Sequence, residues 1–544
     1  MRKIGLLILF CTVVCSVWGV PARRGGIVKT QPDGTQITVY QHGDEHFRWI
    51  TNEKGEWLEV DKNGFYQVTE ALSAEEIRVK QMAAPSRIAQ AQKAATPLNI
   101  APRGLVILVN FADVKFETNK AELDSMLTGK NYSRDYSYMY GGRKYFVTSN
   151  GSAWQYFYES SNGQYSPQFD VVGPVTVSKN MDYYGKNNPT TSFDAAPWDM
   201  VQEACELVND SVDFSLYDND KDGYVDFVYV VYAGYGEADG GAANTIWPHS
   251  YWLLDVGVTC KVDGKCVDLY ACGNELDYYT KHHTGIGTFC HEFSHVLGLP
   301  DLYTTEGQTH KTLGSWDILD YGPYNNDMNT PPAYSAYERF MMGWLTPRLI
   351  VEAEDVELEE LQESNSALLI SSTDQHNLIG NDPKPTTFYL LENRQQVGWD
   401  EYLPGHGLML TKIVYNQRSW SENIVNNSSN RMGVDLIEAD GKTPSSSEDG
   451  YTGKAGDLFP AGATEYLGIK GHSIEEVIEN NEVISFKYKG GRINTATSEV
   501  VLNNDIIAIY DVLGQKMATK KIEALSEGTY IVKTTQGTKK IIIR

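Results

Sequence analysis

The stretch His291-Glu-Phe-Ser-His-Val-Leu-Gly-Leu-Pro-Asp301 decides how this 544-residue chain is read. On an α-helix, His291 and His295 stand at i and i+4, share one face, and can both turn an imidazole nitrogen toward a single Zn²⁺. Glu292 is then placed to contact the water on that metal and to act as general base in attack on a carbonyl. Gly298 suits the left-handed residue that ends a helix. The chain can then turn back and offer Asp301 as third ligand, leaving one position open. Glu338, in Ala336-Tyr-Glu-Arg-Phe340, is the rival third ligand from a later helix.

A second cation site is expected at Asp218-Asn-Asp-Lys-Asp-Gly-Tyr-Val-Asp226. Calcium prefers several oxygen ligands, and the D-x-D-x-D-G spacing wraps a tight loop around it. Asp218, Asp220, Asp222, Tyr224 (through its carbonyl position) and Asp226 are the candidate ligands. Position 12 of such a loop falls on Tyr229 rather than Glu, so a structural site outside a helix–loop–helix is expected.

The rest of the chain supplies context. Acidic residues number 71 against 46 basic ones, a net charge of −25, which argues against a nucleic-acid partner. Arg2 and Lys3 precede an apolar run from Ile4 to Val17, the pattern of a secretory signal peptide, with cleavage expected after Gly19 and Ala22 as second choice. The run is short for a membrane span, and no later stretch is apolar enough to make one. Residues 20–103 read as a propeptide and linker: short strands between turns at Asp33-Gly34, Lys54-Gly55 and Asn63-Gly64, then an Ala/Gln/Pro-rich segment. Residues 104–347 alternate buried-strand patterns (Gly104–Phe111, Phe227–Ala233) with helical spacing, so an α/β catalytic domain is expected. An all-β sandwich is expected over 348–490 and a third β unit over 491–544. Among the five cysteines beyond the signal, a local Cys260–Cys266 bridge is plausible outside the cell. His249, His282 and His283 read as packing or surface residues.

The zinc segment through Tyr303, the run Gly104–Phe111, Tyr156–Gly163, the loop 218–226, Gly314-Ser-Trp-Asp317 and Gly343-Trp-Leu345 together resemble the immune inhibitor A family of secreted bacterial metalloproteases. Leu391–Gln395 and Leu403–Leu408 extend the likeness into a following β-domain. The resemblance implies a metzincin-like zinc endopeptidase made as a zymogen, with bound calcium and protein substrates. In metzincins a turn beneath the zinc carries Met, and in some a Tyr follows two residues later. Here Leu319 stands at the Met position and Tyr321 keeps the spacing, where a phenol can hydrogen-bond an oxyanion. The C-terminus, with Ile509–Gln515 and Gly528–Val532, resembles type IX secretion sorting domains, which implies outer-membrane secretion machinery as a partner. The competing reading is a secreted binding protein or adhesin with a structural or inactive zinc site.

Overall fold

The computed structural model describes residues 18–73 (except His46), 101–188, 193–305, 310–442, 452–491, much of 506–543, and a few positions between 76 and 80. Of the expected signal peptide, 1–19, only Trp18 and Gly19 are described; residues 1–17 and the linker 81–100 lie outside the described residues.

The central sheet has six strands in the order Trp18–Gly19, His249–Trp252, Leu269–Leu276, Val228–Tyr235, Arg103–Asn110 and Gln168–Thr176. The last four run parallel; His249–Trp252 and Trp18–Gly19 are antiparallel to their neighbours. Both expected strand runs are there, and their continuous apolar character follows from burial on both faces. Along Arg103–Asn110, Val106 and Leu108 join one core while Leu105, Ile107 and Val109 join the other. The second core holds the helix Pro197–Val208, which buries Met200, Val201, Ala204, Cys205 and Val208.

Against the first core lies the helix Gly287–Val296, buried from Gly287 to His295. It docks through two rings one turn apart. Phe289 packs on Phe169 (centroids 5.0 Å) and Phe293 on Phe227 (4.9 Å). With these rings holding one face to the sheet, His291 and His295 point to the other. The helix stops where expected: Gly298 has φ +93°, open to glycine but strained for other residues.

The chain divides into two compact units, 1–351 with 358–464 and 479–484, and 352–357 with 465–478 and 485–544. The β-sandwich expected over 348–490 is divided between the two units. The five-stranded sheet Arg348–Leu349, Leu368–Ser371, Thr387–Arg394, Gly407–Val414 and Val434–Leu436 places Leu369, Phe388, Leu390, Met409 and Ile413 in the same core as Phe289 and Phe293. In the second unit, Ile506–Asp511, Gly528–Thr534 and Gly537–Ile543 form an antiparallel sheet around Ile509, Tyr530 and Val532.

The N-terminal β unit is a five-stranded meander from Gly26 to Val68, with Ile27, Val39 and Leu58 packed beside Tyr278 and Tyr279. The Cys260–Cys266 bridge is absent. In the hairpin Cys260 faces Val267 and Cys266 faces Lys261, so the two thiols are out of register. Cys260 is buried beside Cys205, whose thiol is pushed well up by that neighbour and by burial.

Candidate active site

His291 Nε2, His295 Nε2 and Asp301 Oδ1 converge. They stand 3.1 Å apart between the imidazoles and 3.2 and 3.3 Å from each imidazole to the carboxylate. All three side chains are buried. The other imidazole nitrogens are committed: His291 Nδ1 donates to Ile318 O (2.7 Å) and His295 Nδ1 to Leu299 O (2.8 Å). A proton on each Nδ1 turns the Nε2 lone pairs toward one point, the arrangement that orients metal-binding histidines.

The residues fit zinc. Bonds of about 2.0–2.1 Å to a tetrahedral ion set neighbouring ligands about 3.3–3.4 Å apart, close to the distances here. Asp301 Oδ1 is buried with no hydrogen-bond partner. Burial works to raise the Asp301 carboxyl pKa, but His295 and His291 outweigh it and hold the group well below the usual carboxylate range. Asp301 is aimed by Asn423, 122 residues away in sequence. Asn423 Nδ2 donates to Asp301 Oδ2 (2.5 Å), and the Asp301 N–H donates back to Asn423 Oδ1 (2.7 Å).

Glu338, the rival ligand, is spent elsewhere. It closes a capping box on the helix Ala336–Met341, accepting from the N–H of Ser335 (2.6 Å) and from its hydroxyl. Its Oε1 is buried without a hydrogen-bond partner, and the carboxylate is not part of the converging His291–His295–Asp301 group.

Glu292 lies on the same helix as the two histidines, fully buried, and its carboxyl is pushed well up by burial, then by Asp301 and Glu45. Its Oε1 accepts from the backbone N–H of Val20 (3.1 Å). The strand Trp18–Gly19 extends the central sheet at its edge, pairing with Ser250 and His249, and the chain beyond it runs through the site. Tyr303 OH donates to Gly19 O (2.5 Å), Trp247 Nε1 to Val20 O (2.9 Å) and Tyr324 OH to Pro21 O (2.6 Å). The Gly19–Val20 peptide therefore presents its nitrogen to Glu292 and its carbonyl to a buried phenol. Gly19 is required here, because a Cβ would stand 2.8 Å from Pro248 O and 2.9 Å from the Glu45 carboxylate.

Residues 99–345 match the immune inhibitor A peptidase M6 catalytic domain. The chain is 27% identical over 292 residues to the pre-pro-metalloprotease PrtV of Vibrio cholerae, covering 47% of this chain and 31% of that one. It is 27% identical over 262 residues to immune inhibitor A of Bacillus thuringiensis, covering 42% of this chain and 38% of that one. The chain thus spans about a third of the length of these relatives.

Other expected positions sort less simply. Tyr321 is buried, but in this arrangement the Arg24 guanidinium lies 3.7 Å over its ring, and Tyr303 rather than Tyr321 meets the backbone carbonyl beside Glu292. Leu319, in place of Met, is fully buried, and its carbonyl accepts from the Leu302 N–H (2.8 Å). Asp218, Asp220 and Asp222 converge as a group able to hold a cation. Lys265 Nζ reaches Asp218 Oδ2 (2.7 Å), while Asp226 turns its carboxylate to the N–H of Asn219 (2.6 Å). Tyr224 opens a short strand paired with Cys266. His249 is a core residue, bonded to Trp247 O (2.7 Å) and Tyr270 OH (2.8 Å). Asn423 carried no local signal; only the fold brings it and the segment 18–24 to the helix that bears His291 and His295.

Proposed function

We propose that the chain is a secreted zinc-dependent endopeptidase that hydrolyses peptide bonds of extracellular proteins. The observation that carries this reading is a metal-ready His291–His295–Asp301 group beside a carboxylate that touches a backbone amide. Bound zinc would polarise the scissile carbonyl and acidify a water. Glu292 takes the proton from that water and returns it to the departing amide nitrogen, the atom that Val20 N represents in the cleft. Tyr303 donates its hydroxyl hydrogen to the carbonyl oxygen as negative charge grows there. Burial, then the charges of Asp301 and Glu45, push the Tyr303 pKa well up, so it keeps the proton it must share.

The contacts of Val20, Pro21 and Arg23, which follow the cleavage expected after Gly19, support latency. An N-terminal segment that fills the cleft excludes other chains, and the family match together with the name pre-pro-metalloprotease for PrtV favours a propeptide over 20–103. Calcium at Asp218, Asp220 and Asp222, and type IX export through residues 491–544, complete the reading. No helix among the described residues is long and apolar enough to cross a membrane. The test is casein cleavage by the purified secreted protein with and without a chelator. Chelator-sensitive cleavage restored by zinc is expected; cleavage indifferent to chelation overturns the proposal.

A further inference from the structure

The segment crossing the cleft is held by its backbone almost throughout, but one side chain is gripped as well. Beyond the contacts to Gly19, Val20 and Pro21, the N–H of Arg23 donates to Ala238 O (2.8 Å). Its guanidinium enters a pocket of the catalytic body. Nη1 donates to Asp277 Oδ2 (2.9 Å), Nη2 donates to Asp327 Oδ1 (2.5 Å), and the Tyr279 ring lies 4.2 Å from Cζ. Asp277 is 1% exposed, and its other oxygen is pinned by the N–H groups of Tyr279 (2.6 Å) and Thr280 (3.2 Å). Asp239, 3% exposed and electrostatically coupled to Arg23 and Asp277, keeps Oδ1 without a hydrogen-bond partner.

We infer that Asp277 and Asp327, walled by Tyr279, form a subsite for an arginine or lysine side chain of the substrate, at the fourth residue after the cleaved bond. The register follows from the cleft. If Gly19–Val20 marks the bond that is cut, Val20, Pro21, Ala22 and Arg23 are the first four residues on the departing side. A strand added to a sheet edge is held by main-chain hydrogen bonds and selected by pockets for individual side chains. Val20 and Ala22 pack in a small apolar cluster with Ala238 and Trp247, which distinguishes little beyond size. The acidic pocket distinguishes charge. Without a cation it leaves the buried Asp277 and the partly exposed Asp327 with no opposite charge, so the pocket disfavours neutral residues. Arginine fits it better than lysine, because a planar fork can meet two carboxylates at once.

This subsite rests on the endopeptidase reading, and one experiment separates the two. The secreted protein, in the form that cleaves casein, is given a mixture of peptides with and without lysine and arginine, and the cut sites are read by mass spectrometry. Enrichment of Arg or Lys at least about threefold over background at the fourth residue after the cut supports the subsite, a modest threshold for a pocket that discriminates by charge. Asp327→Lys should abolish that enrichment and favour Asp or Glu there. Asp277→Asn should weaken it; melting curves check that both variants are folded. Robust cleavage with no enrichment, or enrichment unchanged in both folded variants, overturns the subsite and leaves the endopeptidase standing. No cleavage of any peptide overturns the endopeptidase reading and the subsite with it.

Discussion

Removing the Asn423 side chain should loosen zinc without touching a ligand. Asn423 makes two hydrogen bonds to Asp301, one of them to the charged carboxylate. It also sits at φ +53°, a left-handed position that Asn tolerates and Ala does not. Asn423→Gly is therefore the cleaner variant, since Ala adds about 1–2 kcal/mol of backbone strain unrelated to the metal. A hydrogen bond to a charged group contributes about 1.5–3 kcal/mol, and loss of a partner that orients a ligand lowers metal affinity by roughly 10–100-fold. Tenfold corresponds to about 1.4 kcal/mol, so the two scales agree. Zinc affinity measured in metal buffers against a chelating dye should fall by that factor. Activity should largely return when zinc is saturating, because Glu292 and Tyr303 are untouched. A folded Asn423→Gly protein that binds zinc as tightly as the parent would refute the role given to Asp301.

Three further outcomes follow from the same geometry. Tyr303→Phe should lower kcat by about 10²-fold, the scale for losing one oxyanion donor, with zinc content unchanged; a kcat within about twofold of the parent removes Tyr303 from the chemistry. Asp301→Ala should lose zinc whereas Glu338→Gln should keep it, read by metal analysis of the purified proteins; the reverse pattern would restore Glu338 as third ligand. Burial depresses the His249 pKa to about 4, below the unfolded value of about 6.5. The native state thus refuses a proton that the unfolded chain accepts, and stability is lost as pH falls from about 6.5 toward 4. By about pH 5 this amounts to about 2 kcal/mol, so denaturant midpoints at about pH 7 and pH 5 should differ less for His249→Gln than for the parent.

The site was legible where its parts are close in sequence. Helical spacing placed His291, Glu292 and His295, and the turn at Gly298 brought Asp301 back within a few residues. The strands Arg103–Asn110 and Val228–Tyr235 were equally readable, because burial on both faces leaves an uninterrupted apolar run. What was not legible depends on contacts between distant segments. Asn423 reaches Asp301 across 122 residues, and Tyr303 is distinguished from Tyr321 only by which phenol meets the Gly19 carbonyl. Glu338 looked like a ligand because it sits on a helix; its pairing with Ser335 belongs to that helix's own cap. Within 348–490, likewise, Leu369, Phe388, Leu390, Met409 and Ile413 join the core of Phe289 and Phe293, a long-range sharing that alternation alone does not show.

The central claim is that Glu292 moves the proton while the two histidines and Asp301 hold the metal. Glu292→Gln tests it most directly, with zinc content and casein cleavage measured on the same preparation. A zinc-loaded protein, one metal per chain, with cleavage reduced at least about 10³-fold is expected. A zinc-loaded variant that cleaves casein at the parental rate would contradict it.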